Sequence, residues 1–137
     1  MQLDVLKWLE DIRMAAEDIQ TFALGRSLEE YQQNRMLRMA IERAFMTVGE
    51  GLSQLRRIDP DTAHKITGQQ QIISFRHHLA HRYWEVRDEV VWSIITDDVP
   101  ILIREVRELL AAGDPTFDHP PPGEPQSFER DPPQTEA

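Results

Sequence analysis

The chain has 137 residues, no cysteine and a formal net charge of −9, from 24 acidic and 15 basic side chains. This length predicts one domain with a real core, and the lack of cysteine excludes disulfides and thiolate metal sites and favours a reducing cytoplasm. The excess of acid argues against a general nucleic-acid coat protein, which needs clustered Lys and Arg. Residues 1–4 lack the basic start of a signal peptide, and no apolar run approaches the roughly 20 residues of a membrane span, so we expect a soluble, cytoplasmic protein.

The first predicted helix covers residues 3 to about 24, where apolar side chains recur at spacings of three and four. Its stripe consists of Val5, Leu9, Ile12, Ala16, Ile19 and Ala23. Gly25 suits the position after a helix, and Ser27 with Glu30 forms the capping-box pattern that starts the next helix. The short turn predicts that these two helices pack as an antiparallel hairpin.

The second predicted helix covers about residues 28–56 and carries more apolar surface than one partner helix needs. One stripe is Leu37, Ile41, Ala44, Val48, Leu52 and Leu55, and a second is Met36, Met39, Phe45 and Met46. Two explanations stay open: the helix is central to its own bundle, or its extra surface forms a subunit interface. Gly49 and Gly51 weaken the helix by about 1 kcal/mol each relative to alanine, and we interpret them as points of close approach by another backbone.

The third predicted helix begins near Gln69 and runs into residues 74–84. The last predicted helix covers about residues 86–111, with seven residues facing inward: Val90, Val91, Ile94, Ile95, Leu102, Val106 and Leu109. Thr96, Asp97 and Asp98 are expected to cap a helix that restarts with Pro100 in its first turn, where the missing N–H costs little. This arrangement predicts a kink in the last helix and no domain boundary.

Residues 113–137 are rich in proline, with seven of the nine prolines, and acidic, with six acids against one base, a net of −5. A segment of this composition cannot bury enough surface to fold alone, so we predict a disordered tail that follows a helical domain of residues 1–112. Strand-type alternation is absent from the sequence. The predicted fold class is therefore all-α: an up-and-down bundle of four main helices, with the third interrupted near residues 74–84 and the last kinked.

Residues 74–84 concentrate three of the five histidines, two arginines and a tyrosine. A histidine can move a proton to or from a ribose hydroxyl near neutral pH, and an arginine can pair with phosphate oxygens and stabilise charge as it develops. These residue types fit cleavage of a phosphodiester, and they need no metal if the 2′-hydroxyl of RNA is the nucleophile. By composition alone, however, helix histidines are more often solvated or part of a core than catalytic.

The spacing of these residues limits how they can cooperate. On an ideal helix Arg76 and Tyr83, seven residues apart, share a face, whereas Arg76 and His81, five residues apart, point about 140° away from each other. For all three to act on one substrate, the helix must bend near His81, or two chains must each supply part of the site.

A metal site is the alternative interpretation of the same stretch. His77, His81 and Glu85 are spaced i, i+4 and i+8 on one helix face, a pattern that can hold zinc. The first and third of them lie roughly 12 Å apart along the axis, so at most two can share one ion. With no cysteine, and with His64 as the only histidine of the predicted domain outside residues 74–84, we predict no resident metal and no cofactor.

The order Arg76, His77, three variable residues, His81, one variable residue and Tyr83 resembles the motif of the HEPN superfamily, and within it the HepT-like toxins of prokaryotic toxin–antitoxin pairs. Residues 40–51 and 91–102 are similar to the second and fourth helices of that family, and the resemblance covers essentially residues 3–110. The chain departs from the family at one position of the motif. The residue after the arginine is usually asparagine, and His77 places a titrating group there.

The resemblance implies a homodimer whose two motifs meet in a cleft, acting as a metal-independent endoribonuclease toxin of a type II or type VII-like system. It implies a cognate minimal nucleotidyltransferase antitoxin as the neutralising partner. Carried over by position, Arg76 stabilises the phosphate and His81 is the acid/base, while His77 and Tyr83 support the site or orient the substrate. In some pairs the antitoxin adenylylates the motif tyrosine, here Tyr83. Because some HEPN domains are inactive, the alternative is a module that binds its nucleotidyltransferase partner or a nucleotide.

Overall fold

A computed structural model of the chain describes residues 1–81 and 86–114, and every regular element in these ranges is a helix. The elements in order are α1 (Leu3–Ala23), α2 (Leu28–Gln33), α3 (Arg35–Ile58), α4 (Pro60–His64), α5 (Gln69–His81), α6 (Asp88–Ser93), a π-helical turn (Ile94–Asp98) and α7 (Val99–Gly113). Four main helical segments, namely α1, α3, α5 and the run from α6 to α7, form the up-and-down bundle that the sequence predicts. The predicted tail lies outside the described residues except for its first two positions.

The core forms where α3 packs between α1 and α5 and where α7 packs on α1. Its fully buried side chains include Leu9, Ile12, Ile19, Ile41, Val48, Leu52, Leu55, Leu102 and Val106. The stripe predicted on the first helix is confirmed from Val5 to Ile19, and Ala23 at its end is half-buried. Burial of each large aliphatic side chain contributes about 1.5–3 kcal/mol, so this core supplies most of the stability. Within the described ranges, no helix is long and apolar enough to cross a membrane.

The second predicted helix is in fact two helices, because the chain is extended at Asn34, with φ −108° and ψ 96°. The Asn34 side chain accepts a hydrogen bond from the backbone N–H of Leu37 at 3.0 Å and so caps α3. Ser27 caps α2 in the same way, by accepting from the N–H of Glu30 at 3.2 Å, as its sequence pattern predicts. Two caps seven residues apart therefore start two helices where hydrophobic periodicity alone predicts one.

The second apolar stripe predicted on this helix is divided between core and surface. Phe45 is buried and packs edge-on against Phe75 of α5, with ring centroids 5.1 Å apart. Met36 and Met39 are 80% and 54% exposed. The helix is therefore central to its own bundle, and the two methionines keep the subunit-interface explanation open.

The last predicted helix contains a π-helical turn in place of the capped restart. Asp98 has helical backbone angles and makes no capping hydrogen bond to α7, so the prediction of a cap at Thr96, Asp97 and Asp98 is wrong. The Thr96 hydroxyl instead donates to the carbonyl of Trp92 at 3.1 Å. Pro100 does lie in the first turn of α7, and the wider π-helical turn before it accommodates the missing N–H without ending the helical path.

The π-helical turn also changes which residues of this segment face the core. Val91, Ile95, Leu102 and Val106 are buried as predicted, whereas Ile94 and Leu109 are only half-buried. Val90, which is also predicted to face inward, is 49% exposed. The wider turn explains this difference. It changes the rotation about the helix axis between the residues before it and the residues after it, compared with a continuous α-helix.

Gly51 lies where α3 passes closest to α1, since a Cβ added there would be 2.6 Å from Cγ1 of Ile12. We expect Gly51→Ala to lower the free energy of unfolding by roughly 1–2 kcal/mol: overpacking costs about 1–3 kcal/mol, and the better helix propensity of alanine offsets up to about 1 kcal/mol. Urea denaturation measures the change. Ser53→Ala, at an exposed position of the same helix, is the matched control and should stay within about 0.5 kcal/mol of wild type. Equal stability of Gly51→Ala and wild type would contradict the close approach.

Candidate active site

Helix α5 (Gln69–His81) carries the described part of the histidine- and arginine-rich stretch, as far as His81. The apolar face of the helix is buried and consists of Ile72, Phe75 and Leu79. These three residues lie between the polar ones in the sequence, and their burial fixes the helix to the bundle. Residues 86 and 87 are not helical and the next helix begins at Asp88, so the helical path is interrupted close to the motif, as predicted. Tyr83, like the other residues of 82–85, lies outside the described residues.

Arg76 is held against α3 through Gly49. A Cβ added at Gly49 would be 2.3 Å from Cβ of Arg76 and 2.5 Å from its Cγ, so the stem of the arginine occupies the space that any larger residue would need. The close approach predicted at this glycine is therefore present, but the neighbour is a side chain and not a backbone. The arginine is half-buried, and its contact with α3 fixes the direction of its stem without a bound substrate.

The guanidinium of Arg76 faces Glu50, the residue after Gly49. One terminal nitrogen lies 3.3 Å from Oε2 of Glu50. The other oxygen of this carboxylate accepts from Nε2 of Gln54 at 3.1 Å, and Oε1 of Gln54 accepts from the Nη2 of Arg57 at 2.9 Å. This chain of contacts orients the carboxylate, and through it the guanidinium, along one edge of α3.

The Nε of Arg76 is buried and has no hydrogen-bond partner among the described residues. Buried donors in folded proteins are nearly always paired, so an unpaired one calls for an explanation. The contact with Glu50 is made by one terminal nitrogen, and because Arg binds oxyanions with several of its five donors, the terminal nitrogens are the ones suited to receive a phosphate oxygen.

His77 and His81 lie one turn apart on the exposed side of α5, with ring centroids 4.3 Å apart and ring planes inclined by 55°. His78 is also exposed, and its ring centroid lies 6.3 Å from that of His77. The helix thus presents a pair of adjacent imidazoles to solvent, separate from the buried stem of Arg76.

Arg76 and His81 are not brought to one face of α5. The backbone is α-helical from Gln69 to His81, and residues 82–85, where a bend near His81 could also lie, are outside the described residues. Their side chains leave a regular helix about 140° apart. Both predicted arrangements, a bend near His81 or a second chain, therefore stay predictions.

The row of His77, His81 and Glu85, considered above as an alternative zinc site, is only partly within the described residues. His77 and His81 do lie together, while Glu85 falls outside the described ranges. In residues 1–81 and 86–114 there is no group of three or more His, Cys, Asp or Glu side chains that could hold a metal ion.

A cavity of about 230 Å³ lies between the start of α5 and the π-helical turn, and its lining is Thr67, Gly68, Gln71, Ile72, Ile94, Asp98 and Ile101. Among the described residues that line it, Asp98 is the one ionisable group, and none is an arginine or a histidine. The cavity therefore lacks the groups that phosphodiester chemistry needs, and Arg76 with the histidine pair remains the candidate site.

Glu50 is the residue of this site that the sequence does not identify as functional. Its only signal in the sequence is its position between Gly49 and Gly51, on a helix predicted to receive a close neighbour. That pattern locates the contact on α3 but not its partner, because the partner is 26 positions away in the chain.

Comparison with known proteins gives matches to ribonucleases. A sequence model described as Ribonuclease HepT-like matches residues 12–109. A relative from Methanocaldococcus jannaschii, named as a candidate RNase, is 30% identical over 105 residues, which are 75% of this chain and 94% of the relative. A protein of Thermococcus cleftensis, named as a candidate ribonuclease HepT, is 27% identical over 95 residues, 69% of this chain and 86% of that protein. No solved structure gives a significant match. The matched residues include most of the bundle and the whole of α5.

Proposed function

Because the chain belongs to the HepT-like ribonuclease family, we propose that it is an endoribonuclease that cleaves RNA without a metal ion. The observation that carries this proposal is the fixed position of Arg76, whose stem lies over Gly49 and whose guanidinium pairs with Glu50, on the same helix as the exposed His81. A preoriented guanidinium can stabilise negative charge on a phosphate without reorganising during the reaction. An accessible imidazole can accept and donate protons near neutral pH.

In the proposed reaction His81 takes the proton from a ribose 2′-hydroxyl, and the 2′-oxygen attacks the adjacent phosphorus. The bond from phosphorus to the 5′-oxygen breaks, and that oxygen receives a proton as it leaves. The products are a 2′,3′-cyclic phosphate and a 5′-hydroxyl. Arg76 stabilises the charge that builds up on the phosphate oxygens, and His77, with its ring 4.3 Å from that of His81, is placed to orient the substrate or to assist the proton transfer.

We further propose that the site is shared in a homodimer. Within one chain the regular helix α5 directs Arg76 and His81 about 140° apart. A second copy related by a twofold axis can present its own α5 across the cleft, because a C2 interface brings the same surface of both subunits together. The Arg76 of one copy would then act with the His81 of the other.

The biological setting that we propose is a toxin–antitoxin pair in the cytoplasm, with a minimal nucleotidyltransferase as the antitoxin. Tyr83, two residues after His81, is the proposed target of adenylylation. A bound adenylyl group adds a negatively charged phosphate two positions after His81 in the chain, and this charge would repel the RNA backbone. This part of the proposal is supported by the family resemblance of the motif.

The activity can be tested with purified protein and RNA in the presence of EDTA. We expect cleavage that resists chelation, products with 2′,3′-cyclic phosphate ends, and no cleavage of a substrate whose 2′-hydroxyls are replaced by hydrogen. Loss of cleavage on chelation would contradict metal-independent chemistry. Binding of RNA or of the nucleotidyltransferase with no cleavage under any condition would favour the inactive binding module instead.

A further inference from the structure

We propose that His77 and His81 form a two-ligand site for a divalent transition-metal ion, Zn²⁺ or Cu²⁺, and that the bound ion switches the ribonuclease off. The inhibitory part of this inference rests on the proposed function, because it assigns a proton-transfer role to His81. The binding part stands on the geometry of α5 alone. The ion is an inhibitor here and takes no part in RNA cleavage.

The geometry of the two rings fits one shared ion. Residues four apart on a helix have neighbouring side chains, and these two rings have centroids 4.3 Å apart with planes inclined by 55°. With Zn–N bonds of about 2.0–2.1 Å, two imidazoles on one tetrahedral ion have centroids roughly 5 Å apart. The rings therefore need to separate by less than about 1 Å for one ion to bind both of them.

The surroundings of the pair also favour a cation. Both side chains are exposed, so the ion can keep water molecules in its remaining positions and no buried group must be desolvated. The adjacent guanidinium of Arg76 has its charge balanced by Glu50 at 3.3 Å, and the whole chain carries a net charge of −9. Imidazole suits both ions, and Cu²⁺ should bind more tightly than Zn²⁺, as it does at most nitrogen sites.

The consequence for the enzyme follows from the lone pair of His81. A neutral imidazole has one ring nitrogen that can accept a proton, and a metal ion requires a ring nitrogen in that same unprotonated state. While the ion is bound, His81 is fixed toward His77 and its lone pair is occupied. It cannot take the proton of a ribose hydroxyl, so RNA cleavage stops although the substrate can still bind.

Position 77 makes this inference specific to the present chain. A site with two histidine ligands requires imidazole at positions 77 and 81. Asparagine at position 77 would leave His81 as a single ligand. His77→Asn is therefore the natural test variant, because it removes one ligand while it retains a polar group. His78→Asn is the matched control, since it removes an exposed histidine of the same helix that lies 6.3 Å from His77 and outside the pair.

The binding test uses the full-length protein, Cu²⁺ and Zn²⁺ as chloride salts, isothermal calorimetry, and NMR of the histidine ring protons. We expect wild type and His78→Asn to bind with equal affinity, with Zn²⁺ shifting and paramagnetic Cu²⁺ broadening the ring signals of His77 and His81. His77→Asn should bind at least about tenfold more weakly, because the second ligand no longer acts at high effective concentration. Equal affinity of His77→Asn and wild type, or ring shifts at other histidines only, would overturn the site. Circular dichroism confirms that each variant is folded.

The inhibition test adds the same ions to the cleavage assay. We expect ion concentrations that saturate the site to stop cleavage by wild type and His78→Asn, and EDTA to restore it. His77→Asn should need at least about tenfold more ion for the same inhibition. Saturated binding with undiminished cleavage would overturn the switch but not the site. Absence of cleavage before any ion is added would instead contradict the proposed function, and the calorimetric result would be unaffected.

Discussion

His81→Ala and Arg76→Ala should each slow RNA cleavage by about 10²–10⁴-fold, the range typical of losing a general acid/base or a charge-stabilising donor. Initial rates in EDTA measure the loss. His78→Ala, which removes an exposed imidazole of the same helix, is the control and should cleave at close to the wild-type rate. Cleavage by all three variants at the wild-type rate would remove Arg76 and His81 from the site.

Mixing the two inactive variants tests whether the site is shared between chains. Random pairing of equal amounts gives about half mixed dimers, and in each of these one of the two symmetry-related sites has an intact Arg76 and an intact His81. The mixture should therefore recover about one quarter of the wild-type rate. Light scattering should first show a mass near twice 16.0 kDa. Co-purification of differently tagged copies shows whether mixed dimers form. If they form and the cleavage rate does not recover, the shared site is contradicted.

Gly49→Ala is the second variant with a large expected effect, because its new methyl group would lie 2.3 Å from Cβ of Arg76. Either α5 or the arginine stem must shift by about 1 Å or more, and a misplacement of that size can cost about 10²-fold in rate. The free energy of unfolding should also fall by roughly 1–2 kcal/mol, from the same balance of overpacking and helix propensity as at Gly51. Cleavage kinetics and urea denaturation measure the two effects.

Gly51→Ala separates the loss of position from the loss of stability. It lies two residues away in the same helix and has a similar overlap, 2.6 Å, but its neighbour is Ile12 of α1. We expect it to lose similar stability and to keep most of the activity at a temperature where the protein is folded. Equal loss of activity in the two variants would mean that Gly49 acts through general stability and not through Arg76.

The sequence predicts the bundle well because helical periodicity records which face of each long helix is buried. The stripe on α1 and the first stripe on α3 are correct, and so are the Ser27 cap and the interruption after the third helix. The break at Asn34 is missed since a single asparagine between two periodic stretches resembles an exposed helix position until its side chain is seen to accept from Leu37.

The candidate site is predicted less completely. Sequence spacing gives the 140° divergence of Arg76 and His81, and the glycines indicate a close contact on α3. The partner of that contact, and the pairing of Glu50 with Arg76, depend on how α5 crosses α3, which no local pattern encodes. The π-helical turn is missed for a similar reason: Thr96, Asp97 and Asp98 are typical capping residues, and only the packing of both flanking segments makes a wider turn preferable to a restart.

That wider turn gives the bundle one place where chain length can change. Insertion of a residue into a straight α-helix rotates everything beyond it by about 100°, and in α3 this would turn Gly49 away from Arg76 and Gly51 away from Ile12. Ile94–Asp98 already contains the additional residue that a π-helical turn requires. Loss of one residue there would convert the turn into regular α-helix, and α6 and α7 would still be connected. Length variation among relatives should therefore be found at this turn and be absent from α3.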